Sequence, residues 1–226
     1  MQKIILASQS PRRKQLLESA KVPFEVRINN TDESYPTGLL PDQVAIHIAR
    51  NKALAVLYDD KNGEVPVKKN VEISITENNN DPKSHSIFNT PVLAADTIVV
   101  LNDEIIGKPD NREDAINILS KLSGKKHSVI TGVVILFKNN EVAFADITEV
   151  EFHVLTRQQI EFYVDNYKPF DKAGAYAIQE WIGVVGIKSV NGDFYNVIGL
   201  PISRVLMELQ KIISELFYLL FSFNIF

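Results

Sequence analysis

Asp96 is the residue whose surroundings in the sequence point most directly to chemistry. It interrupts an otherwise apolar run at residues 92–101, and a carboxylate that is buried without a partner is costly. Such a side chain usually faces a cation, binds a metal ion or takes part in catalysis. A strand-end aspartate bonded to a turn is the alternative, but the apolar flanks on both sides favour function. Glu33, in a polar segment, is a candidate second ligand for a hard cation, although alone it resembles a solvated loop charge.

A second group of candidates lies in the segment SQSPRR at residues 8–13. A predicted strand ends just before it and a predicted helix begins in it, with Ser10 as N-cap and Pro11 in the first turn. Such a helix start offers free backbone N–H groups and the positive end of a dipole to a phosphate. Arg12 and Arg13 can add bidentate hydrogen bonds to phosphate oxygens. A well-capped helix with solvated arginines explains this segment equally well.

Three lysines are weaker candidates for phosphate binding. Lys108 lies in the turn GKP at residues 107–109, Lys52 lies among alanines on a predicted helix, and Lys172 follows Asp171. A lysine is a suitable point charge for a phosphate. Taken singly, however, each is better explained as a turn lysine, a paired lysine or one that lies along an apolar surface.

The composition limits the chemistry that these residues can perform. The 226 residues include no cysteine and four scattered histidines, which excludes disulfides, thiolate metal sites and a cysteine nucleophile. The ligands of any metal must therefore be mostly oxygen atoms, which points to Mg²⁺ or Mn²⁺. The formal net charge of −4 argues against broad binding to nucleic acid, because such binding normally needs a basic face.

The candidates lie on alternating strands and helices, and this pattern predicts an α/β fold with a mixed sheet. Short strands are expected near residues 3–7 and 24–28, a long strand at 92–101, and two β-rich stretches at 127–137 and 142–155. Helices are expected after Pro11, Pro41, Thr156 and Pro201, and around residues 115–122. The sequence NGD at residues 191–193 predicts a hairpin-type turn.

Two segments depart from this pattern. Residues 59–91 are polar and rich in turn residues, and so long a connection is unusual inside a compact domain, so a surface insertion is expected. Residues 211–226 form an extension whose apolar end, residues 216–226, is too short to span a bilayer; a buried helix end or a subunit contact is expected. The apolar run near the N-terminus is too short for the core of a signal peptide. We therefore expect a cytoplasmic protein without stable membrane insertion.

Six short motifs occur in a fixed order and together resemble the Maf family of nucleotide pyrophosphatases. They are SQSPRR at residues 8–13, ADT at 95–97, GKP at 107–109, KLSG at 121–124, DKAGAY at 171–176 and GLP at 199–201. The resemblance covers residues 3–210 apart from the insertion. It implies a single α/β domain at residues 1–210, with an elongated, strongly bent mixed sheet and flanking helices. Two lobes would surround a nucleotide cleft, as in the inosine-triphosphate pyrophosphatases.

The resemblance also implies an activity and a site. Members hydrolyse a nucleoside triphosphate to the monophosphate and pyrophosphate with a divalent metal cation, Mg²⁺ or Mn²⁺, and are usually homodimers. The matching residues are Asp96 and Glu33 for catalysis and metal binding, Ser8, Arg13, Lys52 and Lys108 for phosphate binding, and Arg12, Thr97 and Gln179 for substrate specificity. The last three resemble the branch that prefers dTTP and UTP, with modified pyrimidine triphosphates as further substrates and nucleotide-pool cleaning as the purpose. Whether Asp96 is a base or a metal ligand stays open.

Two other functions compete with this one. A nucleotide-binding regulator of cell division or septum formation would bind with little turnover, but it would not need both Glu33 and Asp96. A nucleic-acid binder would use Arg12, Arg13 and Lys14, but the net charge of −4 and the lack of a wider basic stripe disfavour it.

Overall fold

One mixed sheet forms the centre of the protein. The computed structural model describes residues 2–57 and 90–222, with the backbone alone for residues 215–222. The strands in chain order are β1 (Ile4–Leu6), β2 (Phe24–Val26), β3 (Val92–Leu101), β4 (Glu104–Ile106), β5 (Lys126–Phe137), β6 (Asn140–Phe152) and β7 (Ile187–Asn191). They pair in the order β2-β1-β3-β5-β6-β7, and β4 pairs with β3. β1 is parallel to β2 and β3, and the other pairs are antiparallel, so the predicted mixed sheet is confirmed.

The helices begin where the sequence provides caps. In chain order they are α1 (Pro11–Ser19), α2 (Pro41–Leu57), α3 (Arg112–Leu122), α4 (Arg157–Tyr167), α5 (Trp181–Gly186), α6 (Phe194–Ile198) and α7 (Ile202–Ser222), with a 3₁₀ turn at Ala173–Ala175. Ser10 caps α1 by accepting from the backbone N–H of Arg13. Thr156 and Gln159 form a reciprocal capping box at α4, which satisfies two backbone donors that the helix leaves unpaired. The predicted starts of α1 and α4 are confirmed.

α2 lies against one face of the sheet, and small residues let it come close. Ala45 and Ala49 are fully buried. A Cβ atom on Gly132 of β5 would lie 2.3 Å from the carbonyl carbon of Ala45, so no larger residue fits there unless the helix moves. Gly132 is paired with Asp96 across the sheet. This contact therefore fixes α2 over the middle of β3, within reach of a lysine further along the helix.

The opposite face of the sheet carries two separate hydrophobic cores. Leu93 and Ala95 of β3 pack with α1 and α7 in one core, and Val99 and Leu101 pack with α3 and α4 in the other. Thr97 lies between these two pairs on the same face, because side chains alternate along a strand. The two cores are the interiors of the two lobes expected on either side of a cleft.

β3 has an open edge between the two lobes. On that edge β1 pairs with β3 as far as Leu93, and β4 pairs with it from Val99 onward. In the described ranges, residues 94–98 therefore have no strand partner on this side. Asp96 and Thr97 lie in the middle of the gap, so their side chains border a space between strands that diverge, which is where α/β proteins commonly bind ligands.

One turn differs from the sequence prediction. Residues 191–193 do not close a hairpin, because Asp193 is the N-cap of α6 and accepts a hydrogen bond from the backbone N–H of Tyr195 at 2.8 Å. Asn196 then enters the core, where its side-chain amide donates to the carbonyl of Val129 and to Thr148 Oγ1, each at 3.0 Å. These bonds hold the segment across the sheet as a short helix, so the hairpin prediction was wrong.

Parts of two predicted segments lie outside the described residues. The insertion predicted at residues 59–91 falls outside them except for Thr90 and Pro91. The boundary predicted at residue 210 falls inside α7, and residues 223–226 are again outside. Within residues 2–57 and 90–222, none of the helices combines the length and the hydropathy needed to cross a bilayer.

Candidate active site

A cleft of about 480 Å³ lies at the open edge of β3, and its size is in the range of ligand pockets. The side chains that line it come from both lobes, from α2 and from the loops after β1, β2 and β4. All nine residues that the family resemblance assigns to the site are among them: Ser8, Arg12, Arg13, Glu33, Lys52, Asp96, Thr97, Lys108 and Gln179. Residues separated by as many as 171 positions in the sequence, from Ser8 to Gln179, thus line one cleft.

The two carboxylates of the cleft share one ammonium group. Lys52 Nζ, on α2, lies 2.6 Å from Asp96 Oδ1 and 2.8 Å from Glu33 Oε1. Lys108 Nζ lies 3.3 Å from the other Glu33 oxygen. Burial raises the pKa of Glu33, but the hydrogen bond and charge of Lys52, together with Lys108, outweigh it and hold that pKa below its ordinary value. Glu33 is therefore ionised at neutral pH, as a ligand for cations must be.

Arg13 is buried rather than solvated at the mouth of the cleft. Its side chain donates from Nε to the carbonyl of Gly199 at 2.7 Å, from Nη1 to Ser8 Oγ at 3.1 Å and from Nη2 to Thr97 Oγ1 at 3.0 Å. Burial is the largest influence on the pKa of Arg13 and lowers it, while Asp96 acts in the opposite sense. Of the five N–H donors of a guanidinium group, two remain for a ligand, so Arg13 mainly organises the cleft.

Arg12 lies on α1 and contacts the other lobe, which contains the DKAGAY motif and Gln179. Arg12 Nη1 is 3.3 Å from Asp171 Oδ2, and its side chain is 22% exposed. Gln179 is exposed, and its side-chain amide has no hydrogen bond to any other described residue. An amide carries both donors and an acceptor, so Gln179 is able to read the edge of a base.

A series of polar contacts stabilises the loop that carries Gln179. Lys172 is buried and lies 2.7 Å from Asp171 Oδ1 and 3.6 Å from Glu180 Oε1. Tyr163 donates to Glu180 and accepts from the backbone N–H of Ala177 at 3.1 Å. The interpretation of Lys172 as a paired lysine is therefore correct.

Two residues behind Thr97 were missed by the sequence reasoning. Thr131 of β5 is fully buried, with its Oγ1 2.9 Å from Thr97 Oγ1 and 3.0 Å from the carbonyl oxygen of Asn196. Asn196 is also fully buried. Nothing in the sequence marks either residue. Thr131 lies beside Thr97 because the register between β3 and β5 pairs them, and Asn196 is held there by its hydrogen bonds to Val129 and Thr148.

The chain is similar to proteins of one family along nearly its whole length. A family model described as Maf-like protein matches residues 3–212. The chain belongs to this family. The dTTP/UTP pyrophosphatase of Cytophaga hutchinsonii is 43% identical over 93% of this chain and 84% of its own length. Those of Bacteroides thetaiotaomicron and Bacillus cereus are 41% and 42% identical, over 92% and 93% of this chain and 95% and 96% of their own lengths.

Five of the six motifs of this Maf-family chain contribute residues to the cleft. The sixth, KLSG at residues 121–124, has a structural role. Ser123 Oγ accepts a hydrogen bond from the backbone N–H of Leu155 at 2.7 Å, and Gly124 has φ of +70°, a conformation that glycine adopts without strain. This motif ends α3 and ties it to the segment before α4.

Proposed function

We propose that this chain is a nucleoside triphosphate pyrophosphatase that hydrolyses dTTP and UTP to the monophosphate and pyrophosphate. The observation that carries the proposal is the cleft, which is lined by the carboxylates of Glu33 and Asp96 together with the cationic side chains of Arg12, Lys52 and Lys108. The names of the three relatives support the reaction and the two substrates. A nucleotide-binding regulator with little turnover is not favoured, because those relatives are named as enzymes and both carboxylates are in place.

The polyphosphate binds between the start of α1 and Lys108 in this proposal. Ser8 Oγ accepts from Arg13 Nη1 at 3.1 Å and from the backbone N–H of Ser10 at 3.3 Å, so its own proton can be donated to a phosphate oxygen. Lys108 is half exposed and can approach the ligand as a point charge. The two N–H groups that Arg13 keeps unused complete the set, and together these donors neutralise charge that builds up during cleavage.

Asp96 is the proposed proton acceptor. Its Oδ1 is occupied by Lys52 at 2.6 Å, whereas its Oδ2 has no partner among the described protein atoms. Asp96 lines the cleft, so its unpartnered oxygen is the one proposed to orient a water molecule and take its proton. Lys52 holds the carboxylate in one orientation, so the acceptor is positioned before the substrate arrives.

A divalent cation, Mg²⁺ or Mn²⁺, is part of the proposal. The described residues contain no group of three or more histidine, aspartate and glutamate side chains placed to hold a metal ion. Mg²⁺ is commonly bound by one or two carboxylates together with phosphates of the substrate. Glu33 and Asp96 fit that kind of site, because both reach the same Lys52 Nζ within 2.8 Å. When bound, the ion would neutralise charge on the phosphates.

Arg12, Thr97 and Gln179 are the proposed specificity residues for thymine and uracil, and modified pyrimidine triphosphates are further candidate substrates. All three line the cleft. Cleaning of the nucleotide pool in the cytoplasm, without nucleic-acid binding, is the corresponding role. We also propose that the protein forms a homodimer. Light scattering on the purified full chain tests this, and a monomer at all concentrations would refute it.

The test of the function is the products formed from a panel of nucleoside triphosphates. We expect metal-dependent release of pyrophosphate from dTTP and UTP, slower release from CTP, ATP and GTP, and none in EDTA. Release of inorganic phosphate instead would mean cleavage between the β- and γ-phosphates and would refute the reaction. Pyrophosphate from purine substrates alone would keep the reaction and refute the specificity. Nucleotide binding without any product would favour the regulator.

A further inference from the structure

Arg13 holds two hydroxyl groups of the cleft through the same guanidinium. Nη1 donates to Ser8 Oγ at 3.1 Å and Nη2 donates to Thr97 Oγ1 at 3.0 Å. A guanidinium group has no acceptor, so both hydroxyl oxygens must accept. What each hydroxyl can offer a ligand therefore depends on where its own proton points.

The proton of Thr97 is directed away from the cleft. Thr131 Oγ1 lies 3.0 Å from the carbonyl oxygen of Asn196, and 2.9 Å from Thr97 Oγ1. A carbonyl oxygen only accepts, so the proton between Thr131 and Asn196 must come from Thr131. Thr131 then has no proton left for Thr97, and Thr97 must be the donor of the contact between them. Any other arrangement leaves the oxygen of the fully buried Thr131 facing another oxygen without a proton between them, which is costly.

Ser8 and Thr97 therefore offer opposite groups to a ligand. No described residue accepts the proton of Ser8, so Ser8 can donate to a phosphate oxygen. Thr97 has no proton to give and presents a lone pair, so it can accept from a ligand but cannot bind a phosphate oxygen, which is also an acceptor. The hydrogen bonds thus divide the cleft into two sides. Ser8 can donate to a phosphate oxygen on one side, and on the other side Thr97 can bind only a ligand group that donates a hydrogen bond.

We propose that Thr131 is a positioning residue for base selection, because it fixes Thr97 as an acceptor. This inference rests on the proposed function and deepens it. Uracil and thymine carry an N–H group at ring position 3, which Thr97 can accept from. Cytosine carries an unprotonated nitrogen there, and two acceptors that face each other repel. The chain Arg13 to Thr97 to Thr131 to the Asn196 carbonyl therefore favours UTP and dTTP over CTP.

Thr131→Val is the variant that tests this inference. Valine has the shape of threonine without the hydroxyl, so the Thr97 hydroxyl would be free to turn its proton toward the cleft. We expect the ratio of kcat/KM for UTP to that for CTP to fall about tenfold, because the net contribution of one hydrogen bond corresponds to a change of about that size. Thr131→Ser keeps the hydroxyl and should keep the wild-type ratio.

Thr148→Val is the matched control. Thr148 Oγ1 also donates to a backbone carbonyl, that of Asp193 at 2.9 Å, and also contacts Asn196, at 3.0 Å, but it is not in contact with Thr97. Its removal should leave the ratio unchanged. An unchanged ratio in Thr131→Val, or an equal fall in Thr148→Val, would overturn the inference.

The wild-type protein provides a second test that does not depend on the folding of a variant. N3-methyluridine triphosphate lacks the ring N–H, so it should be cleaved at least about tenfold less efficiently than UTP. Equal cleavage of the two would overturn the inference while leaving the proposed function intact. Failure of the wild-type protein to release pyrophosphate from UTP or dTTP would instead overturn the proposed function, and this inference with it.

Discussion

Asp96→Asn is the substitution that best separates catalysis from stability. Lys52 Nζ lies 2.6 Å from Asp96 Oδ1 and 2.8 Å from Glu33 Oε1. Asparagine keeps an acceptor oxygen, so Lys52 retains both contacts and only the charge at one of them is lost. The difference between a charged and a neutral hydrogen bond is about 1 kcal/mol. For a chain of this size that corresponds to a fall in Tm of about 2–4 °C.

The effect on activity should be much larger. Removal of a positioned proton acceptor lowers kcat by about 10²- to 10⁴-fold, which is about 3–5 kcal/mol of barrier. The assay is pyrophosphate release from dTTP over a series of Mg²⁺ and Mn²⁺ concentrations. If Asp96 is mainly a metal ligand, high metal concentrations should restore kcat, whereas a lost base is not restored.

Asp146→Asn provides the control for this substitution. Asp146 is also a strand carboxylate paired with a cation, Arg204, but it lies on β6 and does not line the cleft. The control should lose stability to a similar extent and keep its activity. The reasoning would be refuted if Asp96→Asn, at saturating metal, kept kcat within about tenfold of the wild type.

Three further predictions concern base reading, capping and pH. Gln179→Ala should lower kcat/KM for dTTP and UTP by about tenfold without changing Tm, and Gln158→Ala on α4 is its control; an equal effect on all nucleotides would contradict base reading. Thr156→Ala removes the cap of α4 and should lower the free energy of unfolding by about 1 kcal/mol in urea titrations, with activity retained. Burial lowers the pKa of His127 from 6.5 to about 4. The unfolded chain therefore binds this proton more tightly than the folded protein does. As the pH falls from 6.5 to 4, His127 should lower the free energy of unfolding of the wild type by up to about 3 kcal/mol. The free energy of unfolding of His127→Gln should fall by that much less over the same range. Equal pH dependence of the unfolding free energy in the two proteins would contradict the lowered pKa of His127.

The features that could be predicted from the sequence are those whose cause is local. Ser10 and Pro11 start α1 because a cap and a first-turn proline act within a few residues. Asp96 stands out because its neighbours in the chain are apolar. The fold class followed for the same reason, since each strand and helix carries its own pattern of apolar residues.

The features that could not be predicted depend on tertiary contacts. The sequence left Arg13 as either a phosphate clamp or a solvated side chain. It is buried instead, because the turn at Gly199, where φ is positive, presents a carbonyl that accepts from it although the two residues are 186 positions apart. Thr131 looks like any strand threonine until the register of β3 and β5 places it beside Thr97. The NGD turn was misassigned because the interactions that override it are made by Asn196 in the core.

The open stretch of β3 allows Asp96 and Thr97 to contact one ligand in the proposed function although they are adjacent. Neighbouring side chains on a strand point to opposite faces, so in a strand paired on both sides they would lie in different layers. Here Asp96 faces α2 and its lysine, while Thr97 faces Arg13 between the two lobe cores. Because β1 ends its pairing at Leu93 and β4 begins at Val99, a ligand at this edge can contact both faces at once. The proposed function therefore places phosphate chemistry and base recognition on two successive residues, each held by a different layer of the protein.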